Sequence, residues 1–351
     1  RGTGETAGHW ANLGRRLVGV NSSPKTNRHD HPCPANGPQW KEPLMRLRTL
    51  IIVAGLALSG CVGAPSESAS PTAKQSSYAP VTVTNCGFQV TLTEPPKAAV
   101  TLNQGATEVM LSLGLEKQMV GTAYRDDQIA GRWQAAYDSI KVLADKYPSK
   151  EAFLQVKPDF AYASYSSAFT PKNVGTREEL RDEKIATYLS PAACPDRDKT
   201  VPHTIDSAWA EATEVARIFG VEDRAAQVIG QQKTELEAVR KQAAGKGKKV
   251  FWFDSGTEQA YAGVGGGGPQ IIIDAVGATN VFADMKSSSW ENVSWERVVQ
   301  ADPDVIVLAE ASWSTVESKK NRLESDPVLS QLKAVKNKAY ITISFAESTP
   351  G

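Results

Sequence analysis

Few side chains in this sequence stand where covalent chemistry would need them. Ser255 lies in Asp-Ser-Gly-Thr, outside the G-x-S-x-G turn that raises a nucleophile above a sheet. Glycines 265–268 are followed by Pro-Gln, with no Lys-Ser or Lys-Thr to reach phosphates, and no strand–turn–helix frame is expected around them. They are read instead as tight backbone at the mouth of a cleft. His203, between Pro202 and Thr204, is the one histidine after residue 31 and reads as a surface loop residue. His29, His31 and Cys33 are close together, but intervening prolines and the lack of further ligands make a poor metal motif. No H-E-x-x-H, paired-cysteine motif or carboxylate cage occurs, so a bound metal would have to arrive already chelated.

The pattern that does repeat is a pair of carboxylates. Residues 151–163 read EAFLQVKPDFAYA and residues 296–308 read ERVVQADPDVIVL. Each begins with Glu, places two apolar residues two and three positions on, and reaches Pro-Asp before an apolar run. Such a phrase describes a helix whose first-turn carboxylate suits the positive helix end, a stop at proline, and entry into a strand. Glu151 and Glu296 are therefore expected at equivalent exposed positions of two similar lobes. So wide a separation suits recognition of a partner better than a shared proton.

The elements that must carry these residues follow from hydrophobic periodicity. A hairpin is expected at 81–84 and 89–92, and strands at 98–102, 119–121, 160–163, 250–253, 305–308 and 339–342. Helices at 205–220 and 222–243 divide the two groups. Strands alternating with helices predict parallel α/β sheets. Ligand groups would then sit on loops at the carboxyl ends of strands. In the first lobe those are Asn103, Gln104 and Thr107, then Tyr124 and Arg125, then Tyr165 and Phe169 in the aromatic segment YASYSSAF. Asn103 and Thr107 read equally as helix caps, and Arg125 pairs either with an anionic ligand or with Asp126 or Glu310. In the second lobe the candidates are Asp254, Ser255, Tyr261, Trp290, Glu310 and Trp313; of Trp290 and Trp295, one packs beneath the loop and one faces solute.

The beginning of the chain reads differently. From Met45, two arginines precede a short apolar run at 50–58 and then Leu-Ser-Gly-Cys ending at Cys61. The run is well short of the roughly 20 residues that span a bilayer. A charged head, a short apolar core and small residues before the cut make a secretory signal at 45–60, and Cys61 is the expected lipidation site. Residues 61–80, rich in Ser and Pro, read as a tether. Residues 1–44 have no helix or strand period and read as over-extended translation upstream of the true start. In an exported chain, Cys86 and Cys194 are expected to pair as a disulfide.

The 351 residues carry 39 basic and 39 acidic side chains, which argues against broad neutralisation of nucleic-acid phosphates. Hydrophobic residues make up 41% and charged residues 22%, so a largely disordered chain is excluded. Eight of the basic but only three of the acidic side chains precede Cys61, leaving 31 basic against 36 acidic from there on, so the folded portion is mildly acidic.

From about residue 81 onward the chain resembles the periplasmic-binding protein family for iron-chelate and vitamin B12 uptake. The residues that carry the likeness are TLNQGATEVMLSLGLEKQMVGTA at 101–123, the two repeated phrases, and GATNVFAD at 277–284. The resemblance implies two Rossmann-like α/β lobes, at 81–220 and 245–351, joined by one long backbone helix at 221–244: the class III arrangement. It implies no enzyme, no resident cofactor or metal, and a bulky ligand in a cleft, first a ferric siderophore, with cobalamin, haem or another anionic metabolite such as a deazaflavin-type compound as alternatives. It also implies a monomer on the outer face of a bacterial membrane, with Glu151 and Glu296 docking onto an ABC permease dimer driven by a cytoplasmic ATPase. The family pattern continues past residue 351 into a further helix, so a fragment is the expectation.

Overall fold

The computed structural model describes residues 78–348 except Ser287. The signal, Cys61, the tether to residue 77 and the upstream stretch with Cys33 lie outside the described residues. Thirteen strands are described: β1 (Val81–Asn85), β2 (Phe88–Leu92), β3 (Ala99–Leu102), β4 (Met119–Ala123), β5 (Val142–Ala144), β6 (Phe160–Ala163), β7 (Ala186–Leu189), β8 (Lys249–Ser255), β9 (Ala260–Gly263), β10 (Thr279–Asn280), β11 (Trp290–Val293), β12 (Val305–Glu310) and β13 (Tyr340–Ser344). The helices are α1 (Gln104–Ser112), α2 (Gln134–Asp138), α3 (Lys150–Gln155), α4 (Arg177–Asp182), α5 (Ile205–Phe219), α6 (Glu222–Gln242), α7 (Gly268–Ala275), α8 (Trp295–Ala301), α9 (Val316–Ser325), α10 (Lys333–Lys336) and α11 (Phe345–Ser348).

Beside the two-stranded sheet β1-β2, two larger sheets are described, with an α/β lobe around each. The first is wholly parallel in the order β5-β4-β3-β6-β7. The second runs β11-β9-β8-β12-β13, with β9 antiparallel to both its neighbours and β10 added to β8. Alternation along each strand divides the core into two faces, as helices on both sides of a parallel sheet require. In the first lobe Val100, Leu102, Ala161 and Ala163 pack on one face, and Ala99, Phe160 and Tyr162 on the other. In the second, Phe251, Phe253, Ile306 and Leu308 oppose Val250, Trp252, Val305 and Val307.

The chain passes between the sheets through α5 and α6. Gly220 ends α5 in the left-handed conformation at φ 68°, with Arg217 in its last turn, and α6 then runs 21 residues. Five strands were not legible in the hydrophobic pattern: β5 and β7 are edge strands of three and four residues, β9 and β11 are an antiparallel insertion, and β10 has only two residues.

The entry hairpin is tied down by chemistry read from three separate stretches of sequence. Cys86 and Gly87 form its two-residue turn, both with positive φ (52° and 85°), as the tight hairpin twist demands. Cys86 is joined to Cys194 by a disulfide with Cα atoms 5.3 Å apart. Beside it Asn85 binds both the carbonyl and the amide of Leu189 at 2.8 and 2.9 Å. Arg177, 5% exposed, donates to Asn85 and to Thr187, filling a buried site in which every carbonyl partner is satisfied.

Candidate functional site

The repeated phrase has a local cause in both lobes. Ser149 and Ser294 precede α3 and α8 with extended backbone, and the Ser149 hydroxyl accepts from the amide of Ala152. Lys157 and Asp302 each take a left-handed conformation just before the proline, at φ 51° and 40°. The aspartate after each proline then caps the start of the central strand region: Asp159 accepts from the amides of Lys97 and Ala98, and Asp304 from that of Lys249. Glu151 and Glu296 stand in the first turns of α3 and α8, both exposed. The carboxyl pKa of each is lowered, first by its own backbone amide and then by the neighbouring serine. The Pro-Asp of the phrase thus works for the fold, and the glutamates are left free of it.

At the opposite, carboxyl ends of the strands, the first lobe gathers tyrosines. Asn103, the residue after β3, has φ 85° and ψ 153°, a conformation that costs a non-glycine residue about 1–3 kcal/mol. Its side chain exchanges hydrogen bonds with the Tyr147 hydroxyl at 2.9 and 3.2 Å, and that hydroxyl also meets Ser167 Oγ at 2.9 Å. Loops after β3, β5 and β6 are therefore joined at one phenol. Tyr124, after β4 with φ 58°, packs its ring 4.6 Å from that of Tyr147, and Lys146 Nζ lies 4.3 Å from the Tyr124 ring centroid. Tyr165 completes the group. Although 45% of it is exposed, its phenol end is crowded, and burial, then Asp126, Tyr147 and Tyr124, push its pKa up to about 12.

Several first-lobe candidates prove to hold this group in place rather than border it. Gln104, 5% exposed, accepts from the amide of Asp127 at 2.8 Å and donates to Glu108 and to the carbonyl of Gln128, pinning the loop after β4. Thr107, 1% exposed, shares its hydroxyl with Thr101, Thr122 and the carbonyl of Asn103 behind the helix. Of the two expected caps, Asn103 occupies the N-cap position of α1 but makes no side-chain cap hydrogen bond, and Thr107 lies within the helix. Phe169, expected as a cleft wall, is a core residue packed with Val100 and Leu180. Tyr162 of the same aromatic segment is fully buried and donates to Glu211. Arg125 is exposed, with its guanidinium 5.6 Å from the Tyr137 ring centroid.

In the second lobe, Ser255 pairs with Tyr261 across β8 and β9, and Glu310 with Ser344 across β12 and β13, so these residues share one end of the sheet. Tyr261 is 39% exposed and Trp313 56%. Phe345, just past β13, takes Trp313 edge-on at 4.9 Å and lies 6.3 Å from the ring of Trp290. Trp295 is the tryptophan that packs beneath, donating to the carbonyl of Thr257 at 2.8 Å. Asp254 is 4% exposed; one oxygen accepts from Ser255 Oγ at 2.9 Å, the other has no hydrogen-bond partner among the described residues, and burial raises its pKa. Glu310 accepts from the amide of Val316 at 2.9 Å and so serves the start of α9. Lys319, buried, donates to the carbonyls of Ala309 and Ser314.

The glycine run does join a strand to a helix, β9 to α7, against the sequence expectation. Its cause is packing. A Cβ on Gly265 would stand 2.3 Å from the carbonyl oxygen of Ala283, and one on Gly266 2.2 Å from that of Ser288. The small residues admit the 283–289 segment and do not form an open mouth. An apolar cavity of about 180 Å³ borders the last glycine of the run, Gly268, and is lined by residues such as Val109, Arg132, Trp209, Ile229, Ile271 and Glu347; Tyr165, Tyr261 and Trp313 do not border it.

Sequence reasoning missed Tyr147, Lys146 and Phe345. The first two follow β5, too short to show a period. Phe345 had a usable signal, since it directly follows a strand that the pattern did reveal. Among the described residues, no group of three or more His, Cys, Asp or Glu could hold a metal ion.

Residues 100–346 match the family model described as periplasmic binding protein. The chain belongs to this family. A solved periplasmic binding protein from Veillonella parvula superimposes with a TM-score of 0.69 at 29% identity, over 78% of this chain and 92% of that one. A cobalamin-binding protein of Halobacterium salinarum is 27% identical over 281 residues, 75% of this chain and 68% of its own. An uncharacterized ABC transporter substrate-binding lipoprotein, YvrC of Bacillus subtilis, is 23% identical over 266 residues, 74% of this chain and 79% of its own. Membership in the periplasmic binding protein family makes this a substrate-binding protein of the extracytoplasmic kind and not an enzyme.

Proposed function

We propose that this protein is the receptor of an ABC importer, lipid-anchored through Cys61 on the outer face of the cell membrane and acting as a monomer. It captures a bulky small molecule between its lobes, a ferric siderophore first, and delivers it to a permease dimer driven by a cytoplasmic ATPase. The observation that carries the reading is the set of exposed aromatics at the strand ends of both lobes, Tyr165, Tyr261 and Trp313, in a chain of this family. Aromatic faces bind large, partly apolar chelates through area and ring contacts without any covalent step. The metal would be cargo, already chelated, and the protein would supply no ligand to it. A corrinoid is the second reading, favoured by the name of the Halobacterium relative.

Glu151 and Glu296 are the docking carboxylates of this proposal. They are exposed and held ionised at the first turns of α3 and α8, and two separated charges fix orientation on a symmetric partner. Reversing both, Glu151→Arg with Glu296→Arg, is expected to abolish uptake by cells while leaving the affinity for solute within about twofold. Loss of solute affinity instead would put these residues at the ligand and refute the docking role. Native mass spectrometry of the protein recovered from its own cells tests the ligand: a discrete metal-chelate or corrinoid adduct supports the reading. Protein that stays bare in the presence of hydroxamate, catecholate and cobalamin probes contradicts it.

A further inference from the structure

Resting on the receptor reading above, we propose that Lys319 is a positioning residue for cargo: its buried ammonium fixes the turn that presents Trp313 to the ligand. The side chain breaks a local rule. Val316, Lys319 and Leu323 follow one another at helical spacing along α9; Leu323 is fully buried in the second-lobe core and Val316 packs against the same core. That period calls for an apolar residue at 319, yet a lysine stands there at 2% exposure. Burial lowers its pKa, against the charges of Asp254 and Glu310, which raise it. An ammonium in such a place is costly unless it is hydrogen-bonded, so the partners it has bear directly on its role.

Those partners are two backbone carbonyls of one turn. The ammonium donates to the carbonyl of Ala309, before the turn, and to that of Ser314, after it, the latter at 2.6 Å. Ala311 and Ser314 exchange amide–carbonyl hydrogen bonds of 3.3 and 3.1 Å, leaving Ser312 and Trp313 exposed at the tip. A tip closed by one such pair is marginal in water by itself. Lys319 ties both of its sides to α9 from within the core, and the Glu310 carboxylate accepts from the amide of Val316 at 2.9 Å. Phe345 meets the Trp313 ring edge-on at 4.9 Å and lies 6.3 Å from the ring of Trp290. Trp313 is 56% exposed all the same, so the turn holds an open ring in one place. A side chain ordered before cargo arrives loses less freedom on binding, a gain of up to about tenfold in affinity for one large aromatic.

The test is a double-mutant cycle on the full chain, read by calorimetric titration with ferrichrome, ferric enterobactin and cyanocobalamin. Lys319→Met keeps the length of the stem and removes the donor. It should weaken the tightest-bound probe about tenfold, but less than about twofold in the Trp313→Ala background. Equal weakening in both backgrounds, or none in either, overturns the positioning role and leaves the receptor reading standing. Failure of all three probes to bind the wild type contradicts the receptor reading, and this inference falls with it. Fluorine NMR of fluorotryptophan-labelled protein needs neither cargo nor a folded Lys319 variant. The Trp313 line, assigned by its loss in Trp313→Ala, should be single and narrow in the unliganded wild type and broaden or split in Lys319→Met. A wild-type line that is broad or split, sharpening only with cargo, overturns the fixed turn.

Discussion

Replacing Glu211 by glutamine should remove most of one pH dependence of stability. Glu211 lies on α5, 5% exposed, and accepts hydrogen bonds from Tyr162 at 2.5 Å and Ser190 at 2.9 Å. Burial is the largest influence on it and Glu214 adds to that, so its pKa rises from 4.5 to about 7 despite the two donors. The folded protein therefore holds a proton that the unfolded chain releases, over the window from about pH 4.5 to pH 7. In that window the folded state binds more protons, so stability falls as pH rises and levels off above pH 7. A shift of this size corresponds to about 3 kcal/mol at about 1.4 kcal/mol per pH unit. Glutamine copies the protonated form: its oxygen accepts from Tyr162 and its amide donates to Ser190, whose hydroxyl turns to receive it. Urea melts of both proteins at pH 4.5 and pH 8 supply a double difference in which other titrating groups, Asp126 and Asp254 among them, cancel. The wild type should lose about 3 kcal/mol more than Glu211→Gln between the two pH values. Equal losses would mean that Glu211 is ionised in the folded state, and the reasoning from burial would be refuted.

Four further outcomes follow from geometry. Gly266→Ala should lower stability by more than about 2 kcal/mol in a thermal melt, because its Cβ meets the Ser288 carbonyl. Gly230→Ala, mid-helix in α6 with nothing within 4 Å, should instead gain about 0.5–1 kcal/mol. Converting Cys86 and Cys194 together to serine should cost about 2–4 kcal/mol and make the melt insensitive to dithiothreitol, which lowers the wild-type midpoint. Tyr147→Phe keeps the ring but loses its bonds to Asn103 and Ser167, so chemical denaturation should register a loss of about 1–2 kcal/mol. A neutral result there would mean that the three loops are not held by that phenol.

The repeated phrase shows how far local pattern reaches. A first-turn glutamate, a Pro-Asp stop and an apolar run are all local, and both copies fold as read. Aromatic side chains at strand ends were harder to place. In YASYSSAF, Tyr162 and Phe169 are core, and Tyr165 alone is open. All three are aromatic, so residue class does not separate them; Tyr162 is buried by the phase of β6 and by α5, which supplies Glu211 to its hydroxyl. The glycine run misled for a related reason: its purpose lies in residues 283–289, about twenty positions away.

The α/β class, the two similar lobes, the carboxylates at matched positions and the cysteines available to pair are all legible in the order of residues. These follow from period, stop signals and composition, which act over a few residues. That Thr107 and Gln104 sit behind the site and Phe169 in the core is a property of the closed chain. Closure also brings Tyr147 to Asn103 across 44 positions and Phe345 to Trp313 across 32, and leaves one oxygen of Asp254 without a hydrogen-bond partner among the described residues. Such outcomes depend on which distant segments exclude water from a side chain and which polar atoms they bring to it. Those two quantities exist only once the chain has closed on itself.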